Sequence, residues 1–153
     1  MLRFKQYFAE VKEEKNLHLE QVEVENILKY YLSPREVKYI RSIRSKLIKK
    51  NPDMKSIGDD KLHVTLAEGP GWKKISSKFK GVKFDNPDFQ LEFEDPKKVE
   101  SSGRVSWYIK VKQQKQLRDY VTDMLQSDPD PKRVFHVSIA NKTGNVGDSV
   151  ATI

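Results

Sequence analysis

Two short segments carry the clearest alternation of apolar and polar positions, Leu62-His63-Val64-Thr65-Leu66-Ala67 and Phe135-His136-Val137-Ser138-Ile139-Ala140. A period of two is the pattern of a half-buried strand. Val64 and Leu66, like Val137 and Ile139, then turn toward a core, while each histidine and the hydroxyl two residues later share the opposite face. Ser33-Pro34-Arg35-Glu36 opens a helix, because the serine caps the first turn, proline fits its first position and glutamate returns to the cap. Val37, Ile40, Ile43 and Leu47 form the apolar stripe of that helix, with Arg41, Arg44, Lys46, Lys49 and Lys50 assigned to its surface. Asn51-Pro52-Asp53 ends it, and a Gly58-Asp59-Asp60 turn leads through Lys61 to the first motif strand.

Glu68-Gly69-Pro70-Gly71 predicts a loop, followed by strands at Val82 to Phe84, Phe89 to Phe93 and Arg104 to Lys112, separated by Asp95-Pro96 and Ser101-Ser102-Gly103. In the last strand Val105, Trp107, Ile109 and Val111 share one face, and Ser106, Tyr108, Lys110 and Lys112 share the other. Leu117, Tyr120, Val121, Met124 and Leu125 predict a second helix from Gln113 to Gln126, stopped by Asp128-Pro129-Asp130-Pro131. Asn141 to Asp148 is a Gly- and Asn-rich loop before a final strand from Ser149 to Ile153. The order helix, motif strand, connecting strands, helix, motif strand predicts an α+β fold of two related lobes, each an antiparallel sheet with an outer helix.

Residues 1–32 differ in character from residues 33–153. The start is mixed aromatic and basic, and acids then dominate, including Glu10, Glu13, Glu14, Glu20, Glu23 and Glu25. The division predicts an N-terminal leader or extension ahead of one domain. Phe4-Lys5-Gln6-Tyr7 and Asn16-Leu17-His18-Leu19-Glu20 resemble leaders of some tailed-phage proteins, where such a stretch serves packaging or targeting. His18 has no hydroxyl two residues on and receives no catalytic role.

Composition narrows the classes of function. The chain has 153 residues, no cysteine and a hydrophobic content of 37%. Mean hydropathy is −0.73. Disulfides, thiolate chemistry and cysteine-based zinc sites are excluded, and three histidines leave little for a His-rich metal site. No apolar run of spanning or secretory type is visible, which predicts a cytoplasmic protein without a membrane partner. A net charge of +7 and a pI near 9.4 favour anionic partners. Five lysines between Pro70 and Phe84 (Lys73, Lys74, Lys78, Lys80 and Lys83) follow the first motif with no acid among them. A solvated lysine-rich face explains any one of them equally well.

A lone His-Val-Thr on a strand is usually an ordinary surface position, but two of the three histidines occupy matching phrases. Those phrases resemble the paired His-x-(Thr/Ser) motifs of the 2H phosphoesterase superfamily, the LigT-like and cyclic phosphodiesterase enzymes. The resemblance covers roughly residues 34–153 in layout. It implies a bilobal, pseudo-symmetric fold with two antiparallel sheets facing a central groove, helices outside, and a site of His63, Thr65, His136 and Ser138. It implies no cofactor and no metal. A strand usually precedes the first helix in that family, and the only candidates for one here lie in the acidic leader.

Three further residues are candidates for substrate contact. Trp72 is placed to stack a nucleobase, or to close the core with Ile75 and Phe79. Tyr108 lies on the polar face of its strand, and Lys142 stands in the loop after the second motif. Two histidines suit general acid and base work because an unperturbed pKa near 6.5 allows one to be neutral and the other charged. The expectation is a metal-independent phosphodiesterase acting on a nucleotide or RNA. Two substrate classes stay open, a terminal 2′,3′-cyclic phosphate and a cyclic oligonucleotide immune signal, the second favoured by the phage-like leader and an anti-defence role. A basic RNA-binding module, or an inactive nucleotide-binding relative, is the alternative.

Overall fold

The computed structural model describes residues 21–150. They form an α+β structure with one seven-stranded antiparallel sheet. Its strands are β1 (Val22–Val24), β2 (Leu28–Tyr31), β3 (Lys55–Ser56), β4 (His63–Ala67), β5 (Lys97–Ser101), β6 (Arg104–Lys110) and β7 (His136–Asn141). Helices α1 (Pro34–Lys50), α2 (Pro70–Ile75) and α3 (Gln114–Leu125) and three short 3-10 turns (Asp59–Lys61, Ser76–Phe79, Val146–Asp148) complete the described elements.

The sheet order β1-β2-β4-β7-β6-β5 reads as two equivalent halves, with β3 paired to β7 off this path. In the first half a hairpin, β1–β2, is followed by α1 and then by β4, which pairs with β2. In the second a hairpin, β5–β6, is followed by α3 and then by β7, which pairs with β6. The registers match residue for residue. Tyr31 pairs with His63, Tyr30 with Val64 and Lys29 with Thr65. Lys110 pairs with His136, Ile109 with Val137 and Tyr108 with Ser138. Both ladders then shift at the same place, between Leu28 and Lys29 and between Trp107 and Tyr108. The halves join where β4 meets β7, at the pair Val64↔Val137, and where β3, between α1 and β4, pairs with the end of β7.

This arrangement corrects several expectations. The motif strands are neighbours in one sheet rather than members of two. Residues 22–31, assigned to the leader, supply β1 and β2, and β2 covers the free edge of the first motif strand. The acidic content concealed them, although Val22-Glu23-Val24 already alternates. The described chain therefore has its strands ahead of the first helix. His18 and the phrases before Glu20 lie outside the described residues.

Ser33 caps α1 as expected: its hydroxyl accepts from Glu36 N, and the Glu36 carboxylate accepts from Ser33 N, in a complete capping box. Buried Glu36 also accepts from the Tyr30 hydroxyl at 2.8 Å and from Leu91 N at 2.7 Å. Arg44, assigned to the surface, is buried and donates to Ile57 O at 2.7 Å and to Asp59 at 2.6 Å. The alkyl stem lies in the core while the guanidinium reaches polar partners at its rim.

No strand forms at Val82–Phe84, and Phe89–Phe93 contributes a single bridge, Phe93↔Val111. Leu91 and Phe93 are buried as their alternation requires. Backbone bonds from Lys112 N to Glu92 O and from Glu94 N to Lys110 O make that bridge, and side chains satisfy its neighbours, with the Glu36 carboxylate accepting from Leu91 N and Gln113 accepting from Glu92 N. A strand instead forms at β5, joined to β6 through Ser102 and Gly103, both at positive φ, the geometry of a two-residue hairpin turn. Ser149 and Val150 are not in a strand, and the remainder of that expected strand lies outside the described residues.

The core lies on one face of the sheet. Val64, Leu66, Val137 and Ile139 join Leu28, Tyr30 and Ile109, and pack with Ile40 of α1 and Leu117, Val121 and Leu125 of α3. Burial of each such aliphatic side chain is worth roughly 1.5–3 kcal/mol. The opposite face of β4 and β7 is thereby left for the polar residues.

Candidate active site

His63 and Thr65 project from β4, and His136 and Ser138 from β7, on the face away from the core. The antiparallel pair Val64↔Val137 sets His63 on the side of Ser138 and Thr65 on the side of His136. Imidazoles thus occupy one diagonal of a four-residue block and hydroxyls the other. Diagonal neighbours in such a ladder lie about 7–8 Å apart, leaving room for one small group between long side chains. All four residues line one cleft of about 230 Å³.

The two imidazoles are held in the same way. His63 Nδ1 lies 2.9 Å from Lys61 O, and His136 Nδ1 lies 3.1 Å from Val134 O, in each case the carbonyl two residues earlier. A carbonyl only accepts, so each Nδ1 carries the hydrogen, and Nε2 of the neutral ring keeps its lone pair. An aromatic ring flanks each histidine, Tyr31 beside His63 at 5.9 Å and Tyr108 beside His136 at 5.7 Å. Burial is the main cause that lowers the pKa of both histidines. The charge of Lys29 lowers His63 further, Arg133 and His63 lower His136 further, and the backbone hydrogen bonds act in the opposite sense.

The remaining lining is asymmetric. Lys29, Glu68 and Arg104 are its charged members, and Ile27, Val146 and Val150 supply apolar surface. Arg104 donates to Gly147 O at 3.1 Å and to Ser149 O at 3.4 Å, holding the segment that closes one end of the cleft. Buried Asn141 braces the same segment, donating to Asn145 O and to Ser149 Oγ and accepting from Thr143 N and Gly144 N. Glu68 pairs with Arg133, which also contacts Asp130 at 2.7 Å, and Asp130 accepts from Glu68 N at 3.2 Å. This cluster fastens the end of β4 to the chain entering β7. Gly71 belongs to the same close approach, since a Cβ there would fall 2.2 Å from Pro129 O.

The three expected substrate contacts fare differently. Trp72 is 0% exposed, stacks on Phe79 and donates Nε1–H to Glu25 O at 2.9 Å. It is a core residue and presents no face to a base, because α2 begins at Pro70 and turns the indole inward. Tyr108 is brought to the site through its contact with His136 and its pairing with Ser138. Lys142 is exposed and does not line the cleft. The hydrogen bonds of Asn141 turn the chain so that residues 146–150, and not Lys142, return over the motif strands. Lys29, Glu68 and Arg104 escaped the sequence reading. Only the alternation of Leu28-Lys29-Tyr30-Tyr31 marked Lys29 as a strand residue facing away from the core. Among the described residues, no helix is long and apolar enough to cross a membrane. No family model, no curated protein and no solved structure matches this chain.

Proposed function

We propose that the cleft is the active site of a metal-independent phosphodiesterase of the 2H type, acting on nucleotides. The observation that carries the reading is the four-residue block, in which two imidazoles with matching backbone hydrogen bonds and two hydroxyls face one cleft. The internal repeat of hairpin, helix and motif strand supports the bilobal, pseudo-symmetric form of that fold, with one motif from each half.

A phosphodiester between the imidazoles meets a base on one side and an acid on the other. One neutral Nε2 takes the proton of the attacking oxygen, water for a 2′,3′-cyclic phosphate or a 2′-hydroxyl for a 3′–5′ linkage. The new P–O bond forms as the opposite P–O bond breaks, and the second imidazolium gives its Nε2 proton to the leaving oxygen. Thr65 and Ser138 donate to the non-bridging oxygens as charge develops on them. Exchange of one proton at each imidazole with solvent resets the pair. With a cyclic oligonucleotide as substrate, the role is removal of a host immune signal by a phage-encoded protein in the cytoplasm, the case favoured by the leader's resemblance.

The test is incubation of the full chain in EDTA with a nucleoside 2′,3′-cyclic phosphate, an RNA ending in one, and a set of cyclic di- and trinucleotides. At least one class is cleaved, and H63A and H136A each reduce turnover by at least about 10²-fold while keeping the wild-type circular dichroism spectrum. Binding without cleavage by the wild type, or cleavage undiminished in both variants, overturns the proposal.

A further inference from the structure

The two halves of the site are superimposable in register but not in chemistry. Beside the first motif stand Lys29, opposite Thr65, and Tyr31, opposite His63. Beside the second stand Tyr108, opposite Ser138, and Lys110, opposite His136. Lysine and tyrosine have therefore exchanged places between the repeats. The exchange matters most at the position facing the hydroxyl, where Lys29 lines the cleft and its counterpart, Tyr108, does not. Lys29 lines the cleft, and among the described residues no carboxylate pairs with it. Glu68, the acid in the cleft, is engaged by Arg133. On the other half, Lys110 is not part of the cleft lining.

We propose, resting on the phosphodiesterase reading, that Lys29 is a further catalytic residue, contacting one particular non-bridging oxygen of the scissile phosphate, and that this makes the enzyme stereoselective at phosphorus. The geometry gives the reason. With the attacking and leaving oxygens aligned between His63 and His136, the two non-bridging oxygens point toward opposite halves of the block. Thr65 and Ser138 treat them alike, since each half has one hydroxyl. Lys29 does not, because its counterpart, Tyr108, carries no charge, and the other cation of the lining, Arg104, is engaged by Gly147 O and Ser149 O. An ammonium placed at an oxygen that gains charge stabilises the transition state more than the ground state. Sulfur at that oxygen is a poorer acceptor for the ammonium, whereas sulfur on the Tyr108 side leaves the contact intact.

The experiment compares wild type, Lys29→Met and Lys29→Arg on the two diastereomers of uridine 2′,3′-cyclic phosphorothioate and on the parent phosphate. If the wild type cuts only 3′–5′ linkages, the two diastereomers of that phosphorothioate linkage replace them. Wild type cleaves one diastereomer at least about tenfold faster. Lys29→Met lowers turnover of the parent phosphate roughly 10²–10³-fold and cleaves both diastereomers at similar rates. Lys29→Arg keeps the preference and recovers part of the turnover, which a loss of packing alone would not produce. Wild-type turnover in Lys29→Met, or an unchanged diastereomer preference in that variant, overturns the assignment while leaving the phosphodiesterase reading in place. Absence of any cleavage by the wild type removes both.

Discussion

The hydrogen bonds from His63 and His136 to the carbonyls two residues earlier fix each ring with Nε2 directed away from the backbone. Burial then lowers both pKa values below 6.5. The consequence for catalysis has a definite sign. If the proposed mechanism holds, the free protein carries the required imidazolium only at acid pH, so kcat/KM falls as pH rises through the lowered values, with its alkaline limb below 6.5. A bound phosphate anion restores the charged form, so the alkaline limb of kcat lies higher than that of kcat/KM. Rate measurements across pH on a cleaved substrate check both statements.

Stability follows the same groups. Unfolded histidine takes up its proton near 6.5, while the native rings resist. Stability is therefore complete above that pH and falls as pH drops toward the lowered native values, below which the loss is constant. Denaturant titrations of wild type and H136A distinguish this contribution from that of other groups. Trp72 belongs to the core, so Trp72→Ala costs roughly 3–5 kcal/mol, and Trp72→Phe leaves KM unchanged. A base-stacking role would raise KM in the phenylalanine variant.

At the scale of elements, α1 is anchored through Glu36 as well as through its apolar stripe. This one buried carboxylate accepts from Ser33 N, Leu91 N and the Tyr30 hydroxyl, and so ties the helix to β2 and to the segment that replaces a strand. The Tyr30 phenol is correspondingly pushed far above its ordinary pKa, by burial first and by the Glu36 charge second. Ser33→Ala removes one cap contact and costs about 1 kcal/mol. Glu36→Ala leaves three buried donors without a partner and costs more, about 3 kcal/mol. Chemical denaturation of both variants tests the ranking. The capping box was readable from Ser33-Pro34-Arg35-Glu36, because it depends on residues three apart. The contacts to Tyr30 and Leu91 were not, because nothing local in the sequence says which donors lie above a helix N-terminus.

At the scale of the whole molecule, the halves of the sheet meet at the pair Val64↔Val137 of β4 and β7 and at the short pairing of β3 with β7, Lys55↔Asn141 and Ser56↔Ala140. Side chains reinforce this join: the Arg133 side chain, 9% exposed, bridges Glu68 and Asp130, and Arg118 packs over Phe135 while donating to Arg133 O. Arg133→Met loosens the end of β4 from the chain entering β7. Since Glu68 and Asp130 are partly solvated, the cost is modest, about 1–3 kcal/mol. Hydrogen exchange checks it, with faster exchange at Glu68 and Val134–His136 and little change at Ile109. Under the phosphodiesterase proposal turnover falls in the same variant, because the block of four motif side chains spans the join.

The sequence by itself determined what short-range rules control. Alternation placed Val64, Leu66, Val137 and Ile139 inside and the four motif side chains outside, and cap chemistry started α1 at its observed residue. Repetition of one phrase marked the two strands that matter. Only the tertiary structure decided that β4 and β7 adjoin, that β2 brings Lys29 opposite Thr65, and that Trp72 and Arg44 are internal. Those outcomes depend on which strands pair and in what register, a choice made by packing among residues far apart in the chain. A six-residue pattern states which face a side chain takes, but not which neighbour waits there.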